Sequence, residues 1–90
     1  MLLKREDIIN SFPGEEFLFA DGFDNAILGV DDRDMRVVYS VRKILSILQK
    51  GGMTQEEAME YYEFNTLGAY VGDKTPIYLF DVFIPAGKDK

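Results

Sequence analysis

The sequence contains no cysteine and no histidine. Without cysteine there is no disulfide framework and no thiolate metal site. Without histidine the commonest metal ligand is missing, and so is the commonest acid–base group near neutral pH. Basic residues are scarce as well. Ten Lys and Arg stand against sixteen Asp and Glu, a formal net charge of −6. Such a chain is repelled by phosphate backbones, which disfavours direct nucleic-acid binding and favours a protein partner with a basic surface. No apolar run approaches the roughly 18 residues of a membrane span. The opening MLLKREDIIN carries charge where a signal peptide needs an apolar stretch, so the expected location is cytoplasmic, away from membranes.

Ninety residues fit one domain with one core. At 47% hydrophobic and 29% charged, the chain is too apolar to remain disordered. Seven Phe and five Tyr supply the bulk that a small core needs. Stability is expected to come from packing alone.

Residues 3–12 read as a short lid helix, with Leu3, Ile8, Ile9 and Phe12 close to helical spacing and its mixed charges facing water. Pro13-Gly14 stops it. Phe17, Leu18 and Phe19 form an apolar cluster, and Asp21-Gly22 marks a turn. The runs 26–30 and 35–40 flank Asp31-Asp32-Arg33-Asp34 and predict a β-hairpin with an acidic tip. Gly29 inside the first strand predicts a bulge or a close approach by another element. Ser40 is a fitting N-cap for a helix to Lys50, whose Val41, Ile44, Leu45 and Leu48 make one apolar face. Gly51-Gly52 ends that helix. The run Thr54-Gln55-Glu56-Glu57 reads as a capping box that starts a second helix, expected from Gln55 to about Ala69. Residues 77–84, IYLFDVFI, form the strongest strand, apolar on both faces apart from Asp81 and therefore expected at the centre of the sheet or covered on both sides. The tail from about 86 to 90 is expected to fray. The predicted architecture is a single α+β domain. It has a three- to four-stranded, mainly antiparallel sheet, with a helical hairpin and a short N-terminal helix packed on it.

Charge is segregated along the chain. Residues 35–53 hold four bases and no acid, and residues 54–63 hold four acids and no base, so the two helices are expected to share some internal ion pairs. The N-terminal third leaves a candidate acidic interaction surface at Glu15, Glu16, Asp31, Asp32 and Asp34. The DDRD tip lacks the glycine and the later bidentate acid of a calcium loop, and Arg33 interrupts it; it reads as a solvated turn. Ser11, Ser40 and Ser46 have no histidine to activate them. No catalytic residue, cofactor or metal ligand is assigned, which leans the reading away from an enzyme. Asn65 is the least generic residue. Helical spacing puts it on one face with Ala58, Tyr61, Tyr62, Gly68 and Ala69, where a shielded amide costs ~1–3 kcal/mol unless bonded. It is expected to tie the helix to segment 17–25, or to line a ligand pocket with Asp21 and Asp24.

Three strings carry a wider resemblance: ADGFDNAILGV (Ala20–Val30), GMTQEEAMEYYEFN (Gly52–Asn65) and GAYVGDKTPIY (Gly68–Tyr78). Together they resemble a family of small uncharacterised proteins encoded by tailed bacteriophages and prophages. In that family A-D-G-x-D-x-A-I-x-G precedes E-F-N-x-x-G-A-x-x-G-x-x-T-P. The resemblance spans residues 17–80 and implies a phage setting in the host cytoplasm, with no established activity or cofactor. It implies that Asp21, Gly22, Asp24, Asn65, Gly68, Gly72, Thr75 and Pro76 cluster. The leading functional expectation is a non-enzymatic interaction module that modulates a host protein. The alternatives are a small-ligand or metal-binding domain near Asp21, Asp24 and Asn65, and a structural homo-oligomer.

Overall fold

A computed structural model of the chain describes residues 5–82. Over that span the protein is an α+β domain: helix α1 (Arg5–Ser11), a 3-10 turn (Asp24–Ala26), strands β1 (Ile27–Val30) and β2 (Val37–Ser40), helices α2 (Val41–Lys50) and α3 (Gln55–Tyr61), a π-helical turn (Tyr62–Leu67), and strand β3 (Ile77–Leu79). Leu3, the end of the expected last strand and the expected frayed tail lie outside the described residues.

The three strands form one mixed sheet in the order β1-β2-β3. β1 and β2 are the predicted antiparallel hairpin, with Ile27 opposite Tyr39 and Val30 opposite Val37. The register slips between Ile27 and Gly29, which is the bulge. No other element approaches there, since a side chain on Gly29 would meet nothing within 4 Å. The tip closes through its own polar groups. The Asp31 carboxylate accepts from the Asp34 amide at 2.7 Å, and the Met35 amide donates to the Asp31 carbonyl at 2.8 Å. Met35 holds φ at 56°, a left-handed conformation that costs a side chain roughly 1–2 kcal/mol.

The last strand departs from expectation in place, direction and length. β3 is an edge strand of three residues, and it runs parallel to β2, with Tyr39 opposite Tyr78. Parallel neighbours need a crossover of a dozen or more residues, and α2, α3 and the link to Pro76 supply it. The centre of the sheet is β2, where Val37, Tyr39 and Ser40 are fully buried. Asp81 ends the ladder early. One carboxylate oxygen accepts from the Ser40 hydroxyl at 2.8 Å, and the other from the Arg42 amide at 3.2 Å. The lone acid in an apolar run is thus drawn to the free amides at the start of α2. Burial works against the Asp81 charge, but the Ser40 hydroxyl and the Arg42 amide outweigh it and hold the pKa below its ordinary 3.8.

The helices obey their local signals. The Ser40 hydroxyl accepts from the Lys43 amide at 3.1 Å. Past Lys50, Gly52 takes φ 116° while its amide donates to Gln49 and the Met53 amide to Leu48, the paired closure that favours glycine at this position. Thr54 and Glu57 form the capping box. α3 then changes pitch: the α-helix ends at Tyr61 and a π turn continues to Leu67. Across that change Ala58, Tyr62 and Thr66 face the core.

Tyr39 joins the core together. Its ring stacks on Tyr78 at 5.8 Å, and Tyr62 meets Tyr78 edge-on at 6.0 Å. Its hydroxyl accepts from the Ala20 amide at 2.7 Å. Burial pushes the Tyr39 pKa from 10.0 up to about 12, against a smaller opposing pull from the Ala20 amide. The raised value favours the neutral folded form. That stabilisation is complete below pH 10 and is lost as pH climbs towards 12. Tyr39→Phe is therefore expected to cost about 1–3 kcal/mol at pH 7, by stranding the Ala20 amide. In urea titrations at pH 7, 10 and 12, the variant should lose less stability above pH 10 than the parent; equal alkaline losses would contradict this account of Tyr39.

Candidate functional site

Segment 18–23, the π turn and the start of β3 enclose a cavity of about 250 Å³. Its walls mix apolar and polar surface: Leu18, Phe23, Val71 and Pro76 supply apolar groups, and Tyr61 and Tyr78 add ring faces. Its polar groups are Asp21, Asn65 and Thr66. Of the eight residues expected to cluster, Asp21, Asn65 and Pro76 line this cavity; Gly22, Asp24, Gly68, Gly72 and Thr75 do not.

Asn65 is not shielded and does not tie α3 to the N-terminal segment. It is exposed, and its side-chain amide makes no hydrogen bond among the described residues. The pitch change explains this. Regular α spacing would carry Asn65 inward beside Tyr62, whereas the π turn keeps Thr66 inside and leaves Asn65 at the rim.

The partner of Asp21 and Asp24 is Arg5. Its Nη2 lies 3.0 Å from Asp21 and its Nε 2.8 Å from Asp24, and the guanidinium sits 4.9 Å from the centre of the Phe19 ring. Hydrogen bonds to Asp24 and then Asp21 raise the Arg5 pKa above its already high ordinary value, so this clamp remains charged. The first helix therefore does not simply turn its charges to water; Arg5 pins it to the 21–24 turn. Asp24 faces away from the Asn65 cavity, towards Arg5, Glu6 and Ile9.

The glycines and the Thr-Pro serve the backbone. A side chain on Gly68 would press on the carbonyls of Glu63 and Phe64 at 3.2 and 3.3 Å, so the chain leaves the π turn tightly against its own carbonyls. Gly72 holds φ at 108°. The Thr75 hydroxyl donates to the Gly72 carbonyl at 2.6 Å and accepts from the Val71 amide at 2.9 Å. Arg36 and Lys74 lash this turn to the hairpin. The Arg36 Nε donates to the Thr75 carbonyl at 2.6 Å, and the Lys74 Nζ reaches the Asp34 and Met35 carbonyls at 3.2 and 3.3 Å.

The expected acidic surface is thereby partly neutralised. Glu15 pairs with Lys74 at 3.4 Å, and Asp31 caps the tip from within, while Glu16, Asp32 and Asp34 stay exposed. The ion pairs of Arg5 with Asp21 and Asp24, and of Lys74 with Glu15, do not join α2 to α3. Among the described residues, no cluster of acids has metal-ligand geometry, and no helix is long and apolar enough to cross a membrane.

A feature that face assignment by spacing alone overlooks lies on the outer side of α3. Phe64 is 75% exposed and Tyr70 77%, with Tyr61, Leu67 and Val71 exposed beside them in the sequence. Tyr61 and Asn65 are shared between the cavity and a groove that continues past Glu57 and Glu60 to Phe64. From Phe64 and Glu60 the surface runs on to Glu56, Met59 and Glu63. The signal was present as Glu57, Tyr61 and Phe64 at i, i+4 and i+7, an apolar pair embedded in the acidic face.

Urea denaturation should separate the two readings of this region. Arg5→Ala is expected to cost about 1 kcal/mol through the lost ion pairs and ring contact, and Asn65→Ala less than about 0.5 kcal/mol. The reverse order would restore Asn65 as the tie. Against known proteins, the chain matches no family model, no curated protein and no solved structure.

Proposed function

We propose that the protein is a small non-enzymatic interaction module, of the kind a bacteriophage uses to modulate a host protein, and that the outer side of α3 with the adjoining cavity is its contact surface. The observation that carries this reading is the set of large apolar side chains left in water between Tyr61 and Val71, of which Tyr61 and Val71 line the cavity. Exposed apolar patches with polar rims mark interaction surfaces in small domains. Burying a side chain such as Phe64 in an interface contributes about 2 kcal/mol, an energy the free chain leaves unused. The bacteriophage setting rests on the three sequence strings that resemble that family.

A second reading has one observation in its favour. The Asn65 amide has no hydrogen-bond partner among the described residues and sits at the rim of the cavity, where it could orient a small ligand. At about 250 Å³ the cavity falls just below the usual range of about 300–1,000 Å³ for small-molecule sites, so the interaction reading is preferred.

The test is capture from bacterial lysate by the tagged protein and by its Phe64→Ser/Tyr70→Ser variant. Both positions are exposed, so the variant is expected to melt within about 0.5 kcal/mol of the parent. A partner retained by the parent and lost by the variant supports the proposal. Equal capture by both, or none by either, overturns it. A thermal shift with a nucleotide or metabolite panel, lost on Asn65→Ala, would favour the second reading.

A further inference from the structure

The contact surface has a chemistry of its own, and this inference rests on the reading just given. The cavity and the two grooves that extend it along α3 form one continuous surface, joined through Tyr61 and Asn65 and then through Glu60 and Phe64. No Lys or Arg among the described residues lines any part of it. Its charged residues are all acids: Asp21 at the cavity, already paired with Arg5 at 3.0 Å, and Glu56, Glu57, Glu60 and Glu63 along the grooves. Among the described residues Glu56, Glu60 and Glu63 have no ion-pair partner, and all three line the same groove as Phe64, forming one stripe beside it. Glu57 differs, because its carboxylate holds the Thr54 amide at 2.9 Å.

From this we infer that the surface receives a basic amphipathic segment of a partner protein. An apolar anchor fills the cavity and packs on Tyr61 and Phe64, while flanking Lys or Arg lie over the glutamate stripe. The cavity size fits that occupant. An engineered cavity of about 150 Å³ takes up benzene, so about 250 Å³ holds one aromatic side chain. The charges decide against other occupants. A second copy of this face would bring glutamate stripe against glutamate stripe, and an acidic partner would meet unpaired carboxylates with no counter-charge. Aromatic groups such as Tyr61 and Phe64 flanked by charge also match how interfaces concentrate their affinity, and the surrounding charge sets the choice of partner and the rate of encounter.

The test uses the full chain and three synthetic probes. The first is an amphipathic Leu/Lys helix with one Trp, the second its Leu/Glu counterpart, and the third a Lys/Gly/Ser peptide of equal charge with no apolar face. Binding is read by Trp anisotropy and mapped by chemical-shift changes on labelled protein. The Leu/Lys probe is expected to bind roughly tenfold or more tighter than either other probe, with shift changes confined to residues 53–71 and the cavity walls. Glu56→Gln/Glu60→Gln/Glu63→Gln should weaken it roughly fivefold or more. Glu16→Gln/Asp32→Asn/Asp34→Asn, which removes as much charge elsewhere, should leave it within about twofold. Equal losses for the two triple variants, shifts centred on the hairpin tip, or self-association that is broken by Phe64→Ser would each overturn the inference. The lysate experiment keeps the two proposals separate. If capture depends on Phe64 but is indifferent to the three glutamates, the interaction module stands and its basic partner falls.

Discussion

The structure hangs on the placement of one buried strand, and within it on Tyr39. Its backbone pairs with Ile27 on one side and Tyr78 on the other. Its ring stacks on Tyr78, and its hydroxyl anchors segment 17–23 through the Ala20 amide. Three other stretches of chain, β1, β3 and segment 17–23, thus meet at one residue. With no disulfide and a single small core, few other residues could join so much. The next residue, Ser40, is also fully buried and turns the strand directly into α2. Asp81 closes the same corner from the other end of the sequence. Strand, helix start and final strand therefore form one hydrogen-bonded unit with no loop between the first two.

That unit accounts for what was legible in the sequence and what was not. Local chemistry could be read directly: the Ser40 cap, the Gly51-Gly52 stop, the Thr54–Glu57 box and the hairpin each depend on residues within a few positions of one another. The last strand was misplaced because apolarity on both faces signals burial only if the run stays in the sheet. Here Asp81 pulls the chain out of the ladder, leaving Phe80 and Val82 exposed. Regular helical spacing turns Asn65 inward, whereas the chain changes pitch from Tyr62 to Leu67 with Tyr62 and Thr66 buried and Asn65 exposed. Arg5 looked like one more surface charge in a mixed run. Only the fold brings it to Asp21 and Asp24.

The rigid unit and the outer side of α3 have opposite characters. The core side of that helix contributes Ala58, Tyr62 and Thr66, small or aromatic groups that fit against the sheet. The other side carries large apolar groups among unpaired acids, which does nothing to stabilise the isolated chain. The π turn connects the two, keeping Thr66 in and turning Asn65, Phe64 and Leu67 out. Gly68, where a Cβ would press on the carbonyls of Glu63 and Phe64, then ends it. Of the least generic residues, Gly68 closes this turn, and Gly72 and Thr75 shape the one that follows; the surface beside the π turn is the candidate contact face.

This division between a frame held by Tyr39 and a turn that presents side chains outward is most directly tested by native-state hydrogen exchange, amide by amide. The amides of Val37 and Tyr39 should exchange only through global unfolding. Those from Phe64 to Leu67 should exchange through local openings of much lower free energy. Equal protection in the π turn and in β2 would contradict the account, because the turn would then belong to the core rather than to the surface it displays.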